Sequence, residues 1–103
     1  MNEWKKLGQI FKFESINNHL LTHASNPVAV HLNDDSYRVY FSSRDSDNRS
    51  SVGYVDVDIV KLEVVRVCEE ESFRCSYEHN GFYSHGVSIG CSYEMAGKNF
   101  ILF

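Results

Sequence analysis

The chain is expected to be all-β. Three observations predict this. The stretch Val52 to Ile59 alternates, with Gly53, Val55, Val57 and Ile59 on one side and Val52, Tyr54, Asp56 and Asp58 on the other, a period of two that marks a half-buried strand. Tyr37-Arg38-Val39-Tyr40-Phe41 is rich in aromatic and β-branched residues, which suit a pleated surface and disfavour helix. Aromatic residues make up 14% of the chain, a high share that suits an all-β core.

The elements follow in order. Trp4 to Phe13 carries Leu7, Ile10, Phe11 and Phe13 among lysines and reads as one strand or an extended arm. Glu14 to Ser25 is polar and irregular, anchored locally by Leu20-Leu21. Pro27, the only proline, opens the apolar run Val28 to Leu32, and a proline is tolerated at the first position of a strand because no ladder donor is needed there. Asn33-Asp34-Asp35-Ser36 is a turn, since these side chains bond their own backbone. The strand Tyr37 to Phe41, the polar connection Ser42 to Ser50 and the strand Val52 to Ile59 come next. A tight connection at Val60 leads to a fourth strand, Lys61 to Cys68, so a four-stranded antiparallel meander is expected. Glu69-Glu70-Glu71-Ser72 reads as a solvated turn, and Phe73 to Ser84 as a connector with the turn dipeptide Asn80-Gly81. Gly86 to Tyr93 and Lys98 to Phe103 form a final hairpin about Ala96-Gly97.

Size and charge narrow the function classes. One hundred and three residues make a single domain. Fourteen acidic against ten basic residues give a net charge of -4, which argues against non-specific nucleic-acid binding, because that requires a basic face for phosphates. The N-terminal stretch has no apolar core of a secretory signal, and no run approaches the ~20 apolar residues of a membrane span. Three cysteines, Cys68, Cys75 and Cys91, then read as reduced thiols in a cytoplasmic protein. Their spacing, even with His79 and His85, matches no compact zinc motif, and no metal or cofactor is expected.

Antiparallel pairing places the start of the first strand and the end of the second at one edge of the sheet, so Asn26 is expected near Arg44 and Asp45. That rim is either a solvated loop with a surface ion pair or one wall of a polar ligand pocket. The chain ends in Phe100-Ile101-Leu102-Phe103, an unbroken apolar run. An uncovered apolar edge strand is a template for association, so these four residues are expected at a homo-oligomer interface, a dimer by default.

Four stretches carry a resemblance: Trp4-Lys5-Lys6-Leu7-Gly8, His23-Ala24-Ser25-Asn26-Pro27, Tyr40-Phe41-Ser42-Ser43-Arg44-Asp45, and Asn48-Arg49-Ser50 running on to Asp58. Together they resemble the opening of five-bladed β-propeller proteins of the glycoside hydrolase family 43 and 130 type, which are glycosidases and mannoside phosphorylases. The resemblance covers nearly all of this chain and about the first third of such a protein. It implies that residues 26–68 form one complete blade, 69–85 a connector and 86–103 half of the next blade, with 1–25 as an N-terminal arm. It also implies a sugar site among the polar loops at one end. Asn26, Arg44, Asp45, Arg49 and His85 are the candidate ligand-binding residues, with Tyr40, Tyr54 and Tyr83 as aromatic platforms unless they serve in packing. Asp45 and His85 are the candidate catalytic groups. Glycoside cleavage ordinarily requires two carboxyl groups. Where the family reads Phe-Asp-Asp, this chain has Phe82-Tyr83-Ser84-His85, and Asn26 stands where glycosidase relatives often carry an acid. His85 would be left to move protons near neutral pH.

The expected function is therefore a small, non-catalytic, self-associating all-β protein with weak carbohydrate binding. Two alternatives are a glycosidase or phosphorylase whose pocket is completed by oligomerisation, and an interaction module that adds a strand to a partner's sheet.

Overall fold

The computed structural model describes residues 3–70 and 90–102. Within them the chain is all-β. A four-stranded antiparallel sheet is built from β1 (Ser25–Asn33), β2 (Ser36–Arg44), β3 (Ser50–Asp58) and β4 (Glu63–Val67), paired in sequence order. A separate two-stranded hairpin follows, β5 (Cys91–Met95) and β6 (Lys98–Leu102). The expected meander and final hairpin are both present.

Each turn has a local cause. Between β1 and β2, Asp34 takes φ 43°, a left-handed conformation that aspartate tolerates better than most residues. The β5–β6 turn is the expected Ala96-Gly97, and both residues have positive φ, as the twist of a two-residue hairpin requires. The β3–β4 connection differs from the expected tight link at Val60. It runs from Ile59 to Leu62, because the Asp58 carboxylate accepts the Val60 and Lys61 amides at 3.0 and 2.8 Å and winds the chain into a turn. Ile59 consequently leaves the alternating face and is exposed, and β4 starts at Glu63 instead of Lys61. The first strand begins earlier than expected, at Ser25, and a bulge between Ser25 and Val28 takes up Asn26 and Pro27. The expected strand start at Gly86 and the connector features Asn80-Gly81, Cys75, His79 and Tyr83 lie outside the described residues.

The sheet uses both faces. On one, Phe41, Val55 and Val57 are buried, and Phe11, Phe13 and Ile16 from the N-terminal segment pack over them with Tyr37, Val39 and Val64. The three phenylalanines form a cluster with ring centroids 5.9 to 6.5 Å apart. Among the described residues the segment before β1 forms no strand and lies across the sheet as an extended arm. A turn at its end is held by the Asn17 side chain, whose Oδ1 accepts the His19 and Leu20 amides, and this turn drives Leu20 into complete burial. Gly53 makes room for it: a Cβ at Gly53 would stand 2.7 Å from Leu20 Cδ1 and 3.0 Å from Phe41 Cζ.

On the opposite face, Val52 is fully buried against Val28, Tyr40 and Ile101 of the hairpin. Beside them Arg38 forms a two-pronged ion pair with Asp56 (2.9 and 3.2 Å) and lies 4.1 Å above the Tyr54 ring. Hydrogen bonding to Asp56 holds the guanidinium in its charged form. Tyr40 and Tyr54 meet at 5.7 Å, so both of these candidate platforms are engaged in packing on the sheet.

Candidate functional site: the rim loop between β2 and β3

The loop from Asp45 to Arg49 closes the central hairpin, whose last pair is Arg44 with Ser50. It is organised around one carboxylate. Asp45 is 6% exposed. Its Oδ1 accepts the backbone amides of Asp47 (3.0 Å) and Arg49 (2.9 Å), and its Oδ2 accepts Arg49 Nε at 3.0 Å. The main chain closes the same ring, with the Asp45 amide donating to the Arg49 carbonyl and the Asn48 amide to the Asp45 carbonyl. Asn48 sits at φ 63°, a value asparagine accepts readily. The residue order Arg44-Asp45 then Asn48-Arg49 is therefore a loop-closing arrangement: an acid to collect the amides, an asparagine for the left-handed step, and an arginine to neutralise the buried charge.

The electrostatics follow from that geometry. Burial pushes the Asp45 carboxyl up, but the amide and guanidinium of Arg49 and the amide of Asp47 outweigh it and hold the group below the ordinary aspartate range. Asp45 is an anion with three donors on two oxygens. It has no proton to give as a general acid, and its lone pairs are directed into its own loop. Arg49 also reaches the exposed Asp47 at 3.3 Å. Arg44 is exposed on the outside of the loop, with Nη1 donating to Asn48 Oδ1 at 3.0 Å.

Of the residues expected from the sequence, Arg44, Asp45 and Arg49 are brought together. Asn26 stands exposed at the same end of the sheet, since Ser25 pairs with Ser42, and it adopts φ 51° in the bulge. Among the described residues no side-chain hydrogen bond joins it to the loop. His85 and Phe103 lie outside the described residues. Phe100 is 37% exposed and stacks on Tyr93 at 5.2 Å, Ile101 is half-buried against Val52, and Leu102 ends β6.

Buried serines beneath the loop were not anticipated. Ser42, Ser43 and Ser51 are all buried, with Ser43 opposite Ser51; Ser43 Oγ accepts the His23 amide and the Ser25 hydroxyl donates to the Ser42 carbonyl. They tie the arm to the rim. The signal available in the sequence was the serine pairs Ser42-Ser43 and Ser50-Ser51 flanking one loop, because a hairpin closed at Arg44 and Ser50 must place Ser43 opposite Ser51.

Two concavities lie on the arm face. One, of about 280 Å³, is lined almost wholly by apolar groups, including Ile10, Phe11, Pro27, Val39 and Phe41. The other, of about 730 Å³, is lined by Phe11, Ile16, Val64 and Val67 together with the charged Lys12, Glu14 and Glu69.

The chain is similar to two uncharacterised proteins from two strains of Mycobacterium tuberculosis. Each is 38% identical over 101 residues, which is 97% of this chain and 33% of the relative. The chain therefore spans about a third of the length of the curated relatives it matches. No family model matches the chain. No solved structure matches it either. Among the described residues no helix is long and apolar enough to cross a membrane.

Proposed function

We propose that the chain is a non-catalytic, self-associating β-module, built as a blade and a half of a five-bladed propeller, with weak carbohydrate binding at the rim loop. The observation that carries the non-catalytic part is the state of Asp45. Glycoside cleavage needs one carboxyl group that holds a proton and a second that acts as base or nucleophile. Asp45 is ionised and clamped by its own loop, so it fills neither role.

The propeller part is supported by topology and by length. A four-stranded meander followed by a hairpin whose Ile101 packs on the meander's face is how one blade meets the next. A one-third share of the relatives corresponds to the span of a blade and a half out of five. Self-association is supported by Phe100, which keeps over a third of its surface exposed on a strand that pairs only with β5 among the described residues. The sugar-binding part rests on Arg44 and Arg49, cations fixed in place by Asn48, Asp45 and Asp47 at the surface of a rigid loop.

The test combines turnover and binding. Aryl glycosides and mannoside phosphorolysis assayed at high protein concentration should show no reaction. Glycan binding, where detected, should weaken in Arg44→Ala while the fold is retained. Turnover abolished by Asp45→Asn in a variant that stays folded overturns the non-catalytic reading.

A further inference from the structure

The arm carries a large apolar residue that is fully exposed among the described residues. Trp4 is 101% exposed and Leu7 60% exposed, on an extended segment that also carries the exposed Lys5 and Lys6. An indole left wholly in water forgoes one of the largest apolar burials a side chain can make. Six residues further on, the same arm forms a wall of the apolar 280 Å³ cavity, through Ile10 and Phe11. The run from Trp4 to Ile10 spans at most about 20 Å of chain, and Trp4 is not among the residues that line this cavity. Fully exposed, the indole does not occupy the cavity of its own chain in this conformation.

We propose that a second copy of this chain supplies the cover: Trp4 of each copy seats in the apolar cavity between arm and sheet of the other. The arrangement is reciprocal and closes as a twofold dimer, because each copy presents one arm and one cavity. Charge supports the same occupant. Glu3, Lys5 and Lys6 flank Trp4, a net charge of +1, and the groove next to the cavity, which shares Phe11 with it, carries two acids, Glu14 and Glu69, against one base, Lys12, a net charge of -1. An arm laid along that groove sets its lysines against the acids as the indole enters the cavity. Gly8, at φ 110° with nothing within 4 Å of its Cβ position, gives the arm the freedom to take that path. This inference rests on the self-association proposed above but assigns it to the arm instead of β6.

The chain contains a single tryptophan, so its fluorescence reports Trp4 alone. The full chain is diluted through the micromolar range with light scattering and emission recorded together. The expected result is a dimer whose dissociation shifts the emission to that of a water-exposed indole, with both signals sharing one midpoint. Trp4→Ala should weaken the dimer at least about tenfold, as truncation of a tryptophan anchor does. Trp4→Phe should restore most of the affinity, and Lys5→Glu with Lys6→Glu should weaken it. Because Trp4 is fully exposed among the described residues, none of these variants is expected to disturb the fold, which circular dichroism checks. A dimer in which Trp4 stays water-exposed overturns the inference while leaving self-association intact. Blue-shifted emission from a monomer shows the arm folding onto its own chain and overturns it as well. A monomer with exposed emission at all concentrations sinks both readings.

Discussion

Asp45 and Gly53 show how much one position can decide. Asp45 is held below the ordinary aspartate value of 3.8, so the unfolded chain takes up the proton first as pH falls. Its stabilisation is complete above that value and is lost as pH drops through the lower folded pKa. Asp45→Asn is therefore expected to cost about 1–3 kcal/mol near neutral pH, as for a buried acceptor whose donors lose their partner. The difference from the parent should shrink in urea unfolding below pH 4. An equal difference at pH 3 and pH 7 would show that the charge is irrelevant to the loop. At Gly53 the constraint is steric. Gly53→Ala places a methyl 2.7 Å from Leu20 Cδ1 within a filled core, and overpacking of this kind costs about 1–3 kcal/mol. An unchanged midpoint in thermal melting would mean that the Leu20 turn swings away freely.

The elements depend on their partners to different degrees. The central hairpin is specified locally: a five-residue loop with its own acid, asparagine and arginine sets the register of β2 on β3. The arm has no ladder and is held by side-chain packing, with Leu20 as its most buried group, and by the Leu21 amide donating to the Arg44 carbonyl at 3.0 Å. Leu20→Ala should cost about 2–5 kcal/mol, the range for removing a large buried aliphatic side chain, and should speed hydrogen exchange in β3 amides beneath it. Protection unchanged in β3 would place the arm's hold elsewhere. The last hairpin meets the meander through Ile101 on Val52. Ile101→Asp puts a charge against a fully buried valine and should release β5–β6 from the meander, seen as faster exchange in 91–102 with β2 and β3 still protected. Failing solubility would agree with the hairpin as an association surface. An unaltered protein would mean that this strand is misplaced.

For the whole molecule, size in solution is the decisive quantity, and light scattering at micromolar concentration should report more than one copy. A strict monomer removes self-association and with it any pocket shared between copies. Much of the architecture was legible in the residues: alternation located β3, aromatic and β-branched content located β2, and Ala96-Gly97 located the final turn, all because these signals act within a few residues. The strand ends were less legible. The bulge at Asn26 and the longer turn after Asp58 depend on side chains bonding a backbone whose path is set only once the neighbouring strand is in place. The rim loop was legible as a cluster and misleading as chemistry: Arg44, Asp45 and Arg49 do converge, yet Asp45 is consumed by its own loop, which residue types alone do not reveal. Periodicity and turn chemistry thus determined, from the sequence by itself, the order and antiparallel pairing of β1 to β4 and of β5 with β6. Only the tertiary structure decided that the arm crosses the sheet without joining it, that Gly53 exists for Leu20, and that Trp4 is left in water. These depend on contacts between segments remote in the chain, whose meeting no local rule encodes.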